Sequence, residues 1–129
     1  MSISATLHSA EESVAAPAVA MLRSYESDLL SIAVAVMPRP HFIGDDYGVD
    51  PNVLVHFVLD KDRGSQSRAA LAQAVRTFLA VTETDVVVMY IDAPILRRAG
   101  GTRQVAPGYE EFVPDVSEWR VSSFETPAG

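Results

Sequence analysis

Two apolar runs on either side of one amphipathic segment restrict the fold of this chain more strongly than anything else in its sequence. Val53–Leu59 is apolar on both of its alternating faces apart from one histidine, and residues 85–91 (DVVVMYI) are similarly rich in β-branched side chains. Short runs of this kind are typical of buried strands. Between them, one stripe recurs at helical spacing: Leu71, Val75, Phe78 and Leu79. The pattern predicts a strand, a helix over residues 68–81 capped by Ser65 or Ser67, and a second strand.

Weaker signals predict further elements on both sides of this unit. Residues 3–7 alternate between apolar and small polar side chains, and residues 29–37 are apolar and β-branched, so each predicts a strand. Residues 95–98 are expected to form one arm of a hairpin that Gly100 and Gly101 close. After Pro107, four apolar residues predict either one helical face or the anchors of an irregular tail: Phe112, Val113, Val116 and Trp119.

A second helix is expected between the first two strands, and its starting point has two alternatives. Ser9 and Glu12 have the spacing of a capping box, which would begin the helix at Ser9. Pro17 would then remove an internal hydrogen bond, whereas a start near Ala16 places Pro17 in the first turn, where proline is favoured. The predicted fold is α+β: a single domain over residues 1–129 with a mostly antiparallel sheet of about four to five strands and two main helices packed on one face.

Charge and composition exclude several classes of partner. The 129 residues include 17 acids and 10 bases, which give a net charge of −7. Nucleic acid and anionic membrane surfaces both select clustered Lys and Arg, so neither is an expected partner. The chain has no cysteine, no apolar run long enough to span a membrane and no secretory signal pattern at its start. We therefore expect a soluble cytoplasmic protein.

Motifs for catalysis, metals or cofactors are absent from the sequence. No nucleophile elbow, phosphate-binding glycine loop or HExxH pair occurs, and the histidines are widely separated: His8, His41 and His56. The pairs Asp45–Asp46 and Asp60–Asp62 lack the further acids of a calcium loop and are interpreted as solvated turn residues. Arg97 and Arg98 are interpreted as a solvated hairpin end, because neighbouring strand residues point to opposite faces. We predict no catalytic residue, no metal site and no cofactor.

The excess negative charge is concentrated in two stretches. Residues 41–62 hold five acids against Lys61, and residues 108–129 hold five acids against Arg120, so each stretch has a net charge of −4. If the stretches meet in space, they form an acidic surface with aromatic side chains, which suits a basic protein partner. The predicted contact residues are Asp45, Asp46, Tyr47, Asp50, Tyr109, Glu110, Glu111, Phe112, Asp115 and Glu118.

The middle of the chain resembles a known family. Its motif is Tyr47-Gly48-x-x-Pro51-x-Val53-x-Val55-x-Phe57-x-Leu59-x-Lys61, followed by the predicted helix, Asp85 with its apolar strand, and Arg97-Arg98-Ala99-Gly100. Over residues 46–101 this order is similar to that of small bacterial immunity proteins linked to contact-delivered toxins of the swarming-inhibition type. The resemblance implies a protein that binds and neutralises a cognate toxin, for which a toxin with a basic active-site cleft would suit the acidic charge.

Two other classes of function remain as alternatives. A small α+β enzyme or ligand-binding domain would place His56 and an acid such as Asp92 in a pocket. A homodimeric structural or regulatory subunit would associate through an exposed sheet edge, for which residues 95–98 are the predicted segment.

Overall fold

The residues that the structure describes form a seven-stranded sheet and two α-helices. The computed structural model describes residues 3–11, 13, 15–36, 52–91 and 93–124. The strands are β1 (Ile3–Ser9), β2 (Leu30–Val36), β3 (Val53–Leu59), β4 (Val86–Tyr90), β5 (Ala93–Ala99), β6 (Thr102–Val105) and β7 (Arg120–Val121). The helices are α1 (Pro17–Leu22) and α2 (Gly64–Val81). The α+β class is confirmed, and the sheet is larger than the four to five strands predicted.

The strand order in the sheet is β2-β3-β1-β4-β5-β6-β7. All neighbours pair antiparallel except β6 and β7, which pair parallel. The N-terminal strand β1 lies between β3 and β4, so strands from distant parts of the chain meet at the centre of the sheet. The two edges are β2, with seven residues, and β7, with two.

One face of the sheet packs with both helices in a single core. Because side chains alternate along a strand, every second residue of β3 and β1 turns to this face, and all of these residues except the half-buried Ile3 are almost completely buried. The largest fully buried side chains are Leu7, Val19, Leu22, Leu30, Phe57, Leu71, Phe78, Ile95, Leu96 and Phe112.

The first helix begins at the later of the two predicted positions. Pro17 occupies the first turn of α1, where the backbone N–H that proline lacks would have no partner within the helix. The capping-box alternative is wrong because Ser9 is the last residue of β1, where its Oγ accepts a hydrogen bond from the Glu11 N–H. A 3₁₀ turn, Arg23–Tyr25, continues α1 towards β2.

The long helix α2 ends at Val81 as predicted but begins four residues earlier, at Gly64. Its N-cap is Arg63, which makes no side-chain cap, so neither predicted serine cap forms. Ser67 is instead buried, and its Oγ donates to the Asp60 carbonyl oxygen at 3.0 Å. Among the described residues, no helix combines the length and apolar character that crossing a membrane would require.

A glycine turn joins β5 to β6. Gly100 and Gly101 have φ values of +57° and +86°, which L side chains rarely adopt, and they form a two-residue loop between paired strands. The predicted hairpin closure is confirmed. The prediction that residues 95–98 form an exposed dimerising edge is wrong, because β5 pairs with β4 on one side and with β6 on the other.

The C-terminal segment (residues 108–121) is irregular, which was one of the two alternatives predicted from the sequence. It contains two 3₁₀ turns, Glu110–Phe112 and Val116–Glu118, before the short strand β7. Phe112, Val113 and Trp119 are buried in the core, whereas Val116 is exposed. The segment is thus held by three apolar anchors and not by a helix of its own.

Candidate functional site

Two arginines of α2 fasten the C-terminal segment across the outside of the helix. Arg68 donates from Nε to Glu111 Oε1 at 2.9 Å and from Nη2 to the Gly108 carbonyl oxygen at 2.7 Å. Arg76 donates from Nη1 to the Glu111 carbonyl oxygen at 2.7 Å. These bonds fix residues 108–111 in place, so the carboxylates that follow along the chain project from a defined backbone.

Three aromatic rings lie beneath this crossing. The Tyr109 ring centroid is 5.9 Å from that of Tyr90 and 5.7 Å from that of Phe112, and the Arg68 guanidinium lies 4.7 Å from the Tyr109 centroid. Tyr109 is half-buried, so part of the residue stays accessible to solvent. Phe112 is 0% exposed, so this predicted surface contact is corrected: the side chain is a core anchor. It is buried because the 3₁₀ turn directs it towards α2.

The four predicted carboxylates of the C-terminal segment are all on exposed residues, and each contacts a nearby group of the protein. Glu110 Oε1 accepts from the Gly108 N–H at 2.8 Å, and Glu111 pairs with Arg68 at 2.9 Å. Asp115 Oδ1 accepts from the backbone N–H and the hydroxyl of Ser117. Glu118 pairs with Arg103 at 3.3 Å. The acids therefore help to shape the segment while they remain open to solvent.

A cleft of about 230 Å³ lies where the C-terminal segment reaches the end of α2 and the β5–β6 hairpin. Its lining residues are Leu79, Ala80, Glu83, Arg98, Arg103, Pro114, Asp115, Glu118 and Trp119. An adjoining, more open hollow of about 510 Å³ shares four of these residues and adds Asp85 and Gly101. Three separate elements thus contribute to one depression in the surface.

The floor of the cleft is a buried guanidinium group whose hydrogen bonds are made to the protein backbone. Arg98 is 5% exposed and directs its guanidinium at the carbonyl oxygens of Leu79, Thr82 and Thr84, where α2 ends. Burial lowers the pKa of the Arg98 guanidinium, although an arginine of this kind remains protonated at neutral pH. The interpretation of Arg98 as a solvated hairpin end is therefore wrong, because its position on β5 turns it towards the helix.

The rim of the cleft is acidic. Glu83, Asp115 and Glu118 line the cleft and Asp85 lines the adjoining hollow. Against the guanidiniums of Arg98 and Arg103, these four negative and two positive charges leave a net charge of −2 over the two depressions. Arg103 lies between Glu83 at 3.4 Å and Glu118 at 3.3 Å. The Glu83 side chain is 87% exposed and that of Glu118 is 57% exposed. Exposed ion pairs of this kind are weak, so a cation from a partner could compete with Arg103 for both carboxylates.

Over the described residues, the two acidic stretches do not lie next to each other in space. Asp60 caps the turn before α2, and a hydrogen bond from Arg63 lowers the pKa of its carboxyl. It lies at the start of α2, whereas the cleft lies at the far end of this 18-residue helix, about 27 Å away by the helical rise. Asp45, Asp46, Tyr47 and Asp50, the predicted contacts of the first stretch, lie outside the described residues.

Two of the four acids around the cleft, together with Arg103, were not predicted as contact residues from the sequence. Glu83, Asp85 and Arg103 fall between the two acidic stretches, and only the return of β5 and β6 beside α2 brings them to Glu118. One signal could have identified Arg98: it lies two residues after Leu96, on the same face of its strand as a core residue.

The alternative site at His56 has a different environment. His56 is exposed on the sheet face that turns away from the helices, with Thr6 of β1 and Ala33 of β2 as its cross-strand neighbours. Neither of the two clefts contains it, and Asp92 lies outside the described residues. Within the part of the chain that the structure describes, no three His, Asp or Glu side chains come together in a way that could hold a metal ion.

Comparison with known proteins returns no relative for this chain: no family model, no curated protein and no solved structure matches it. The resemblance to immunity proteins therefore stays a prediction, and the geometry of the acidic cleft carries the functional argument.

Proposed function

We propose that the protein is an immunity protein that binds and neutralises a cognate bacterial toxin through the acidic cleft and the C-terminal segment beside it. The observation that carries this proposal is the excess of carboxylates around a concave surface: the exposed Glu83, Asp115 and Glu118 and the half-buried Asp85 against a single half-exposed arginine, Arg103. Stoichiometric binding needs a complementary surface on a stable scaffold and no reacting group.

The charge of the rim indicates the chemistry of the partner. A Lys or Arg side chain that enters the cleft can replace Arg103 as the partner of Glu83 and Glu118, and excluding water there strengthens its attraction to both carboxylates. Toxins that cleave nucleic acids or bind phosphate groups carry such cations in their active sites. The carboxylates of the acidic cleft would then take the position of the anionic substrate in the active site of the toxin.

Tyr109 and its neighbours provide the second part of the proposed surface. Arg68 and Phe112 hold the Tyr109 ring in position, so little conformational entropy is lost when the ring contacts a partner. Glu110 and Glu111 flank it with exposed carboxylates. An immobilised aromatic side chain beside charges is a common centre of binding energy in protein interfaces.

Neutralising two rim carboxylates tests the proposal. The variant Glu83→Gln/Glu118→Gln leaves Arg103 without its acidic partners and is expected to weaken the complex about tenfold to a hundredfold, with a smaller salt dependence. The measurement is calorimetric titration with the toxin encoded beside this gene, identified by rescue and co-purification on co-expression.

The matched control is Asp28→Asn/Asp62→Asn, which changes the net charge equally on two exposed residues distant from the cleft. We expect this control to bind within about twofold of the unaltered protein, because only diffuse charge is lost. Equal affinities for the two double variants, with the same slope against salt, would remove the cleft from the interface. Failure of the neighbouring gene product to bind at all would remove the proposed function.

A further inference from the structure

Arg103, on β6, has an electrostatically unfavourable neighbour. It lies directly opposite Arg98 of β5, so both guanidiniums are on the same side of the sheet, and both line the cleft. Like charges directly opposite each other on neighbouring strands are destabilising. Burial is the largest cause that lowers the pKa of the Arg98 guanidinium, and the nearby charge of Arg103 lowers it further. Arg103 is therefore held in the cleft against the repulsion of Arg98.

The ion pairs that hold Arg103 are long. Its Nη2 lies 3.4 Å from Glu83 Oε2, and its Nη1 lies 3.3 Å from Glu118 Oε2. Hydrogen bonds between a guanidinium and a carboxylate are typically about 2.7–2.9 Å long. The ion pair of Arg68 with Glu111, at 2.9 Å, has this length. Because both carboxylates of the cleft are also largely exposed, little is lost when the Arg103 guanidinium moves into water.

The two carboxylates that Arg103 contacts come from different elements. Glu83 lies in the connection between α2 and β4, and Glu118 ends the second 3₁₀ turn of the C-terminal segment. Arg103 lies between them and directs one Nη atom at each. This arrangement suits a planar guanidinium, which donates from separate nitrogens, better than an ammonium group, which is a compact point charge. The chain itself thus shows how a guanidinium is bound between the two walls of the cleft.

We propose that Arg103 occupies, in the free protein, the position that an arginine side chain of the partner takes in the complex. This rests on the proposed function, because the partner is the toxin that binds the cleft. The incoming guanidinium pairs with Glu83 and Glu118, and Arg103 moves into solvent, away from Arg98. The more open hollow, which the same two carboxylates line, is the path of entry. Arg103 is thus an internal competitor, and it lowers the affinity of the cleft for cations that no further contacts hold in place.

Replacing Arg103 with glutamine tests the competition directly. Arg103→Gln is expected to bind the toxin about tenfold more tightly, because both carboxylates are then available to the incoming guanidinium. The matched control is Arg120→Gln, which removes the same charge from an exposed residue of β7 that does not line the cleft. We expect the control to bind within about twofold of the unaltered chain. Calorimetric titration measures both affinities.

A second measurement does not require the toxin. Two capped glycine pentapeptides, one with a central arginine and one with a central lysine, are titrated into the protein, and the NMR shifts of the Glu83 and Glu118 amides give the dissociation constants. We expect the arginine peptide to bind about fivefold more tightly than the lysine peptide, and about tenfold more tightly again to Arg103→Gln. In the unaltered chain, the Arg103 Nε–H signal is expected to move towards that of an exposed arginine such as Arg120 as the arginine peptide binds.

Three outcomes would overturn the proposal. One is an Arg103→Gln variant that is folded by thermal unfolding and binds the arginine peptide no more tightly than the unaltered chain. Another is an Arg103 Nε–H signal that stays unchanged while this peptide saturates the protein, a result that needs no variant. Equal affinities for the two peptides would contradict the assignment of arginine. If the peptides behave as expected but the neighbouring gene product does not bind, the proposed function fails and the competition by Arg103 stands, so the two failures are distinguishable.

Discussion

Replacing Arg98 with methionine is expected to lower the free energy of unfolding by about 3 kcal/mol. Methionine fills much of the same volume, so the loss comes from hydrogen bonding and not from a cavity. The guanidinium donates from Nη1 to Leu79, from Nη2 to Thr82 and Thr84, and from Nε to Thr84. Without these donors, the carbonyl oxygens at the end of α2 lose the groups that replace water around them.

The position of the charge explains why the expected loss is large. The last carbonyl groups of a helix carry a partial negative charge, and a cation placed against them is stabilising, more so when it is partly buried. Arg98 also joins the end of α2 to the C-terminal end of β5, so its loss loosens the contact between helix and sheet that forms the floor of the cleft.

Chemical denaturation monitored by Trp119 measures this effect, because Trp119 is the single tryptophan and is buried beside Arg98 in the lining of the cleft. Arg98→Lys, which keeps the charge but cannot reach all three carbonyls, is expected to lose about half as much. Arg120→Met, on an exposed residue, is expected to change stability by less than about 0.5 kcal/mol. Equal stabilities of Arg98→Met and Arg120→Met would contradict the role assigned to the guanidinium.

Replacing Phe112 with alanine is expected to lower the free energy of unfolding by about 4 kcal/mol. The ring is fully buried against α2 and supports Tyr109 from below, so its removal leaves a cavity that rigid neighbours cannot fill. Because Phe112 anchors the C-terminal segment, we also expect the Tyr109 ring and the adjacent carboxylates to lose their fixed positions.

Two measurements separate these effects. Denaturant unfolding gives the stability, and hydrogen exchange at the amides of residues 109–119 reports whether the segment detaches while the sheet stays folded. Val116→Ala removes an exposed side chain from the same segment and is expected to cost less than about 1 kcal/mol. Unchanged exchange in Phe112→Ala would show that Arg68 and Arg76 alone hold the segment on the helix.

Local patterns predicted the elements well where burial and periodicity agree. Val53–Leu59 forms a strand with the predicted bounds, and α2 ends at Val81, because alternation and the helical stripe are properties of neighbouring residues. The start of α2 was displaced to Gly64 because its first turn is set by contacts with Asp60, not by a serine cap. The starting point of α1 was also set by a local feature. Pro17 excluded the longer helix because proline inside a helix removes a backbone hydrogen bond.

The sequence by itself determined the α+β class, the central strands, the long helix and the excess of acidic residues, since each follows from composition or from the spacing of near neighbours. Only the tertiary structure decided which of these charges lie together. Glu83, Arg103 and Glu118 meet because β5 and β6 return beside the end of α2, a pairing between segments whose contacts no local period encodes. The same holds for Arg98, whose charge suggests a solvated residue but whose place in the sheet buries it against the carbonyl groups of the helix.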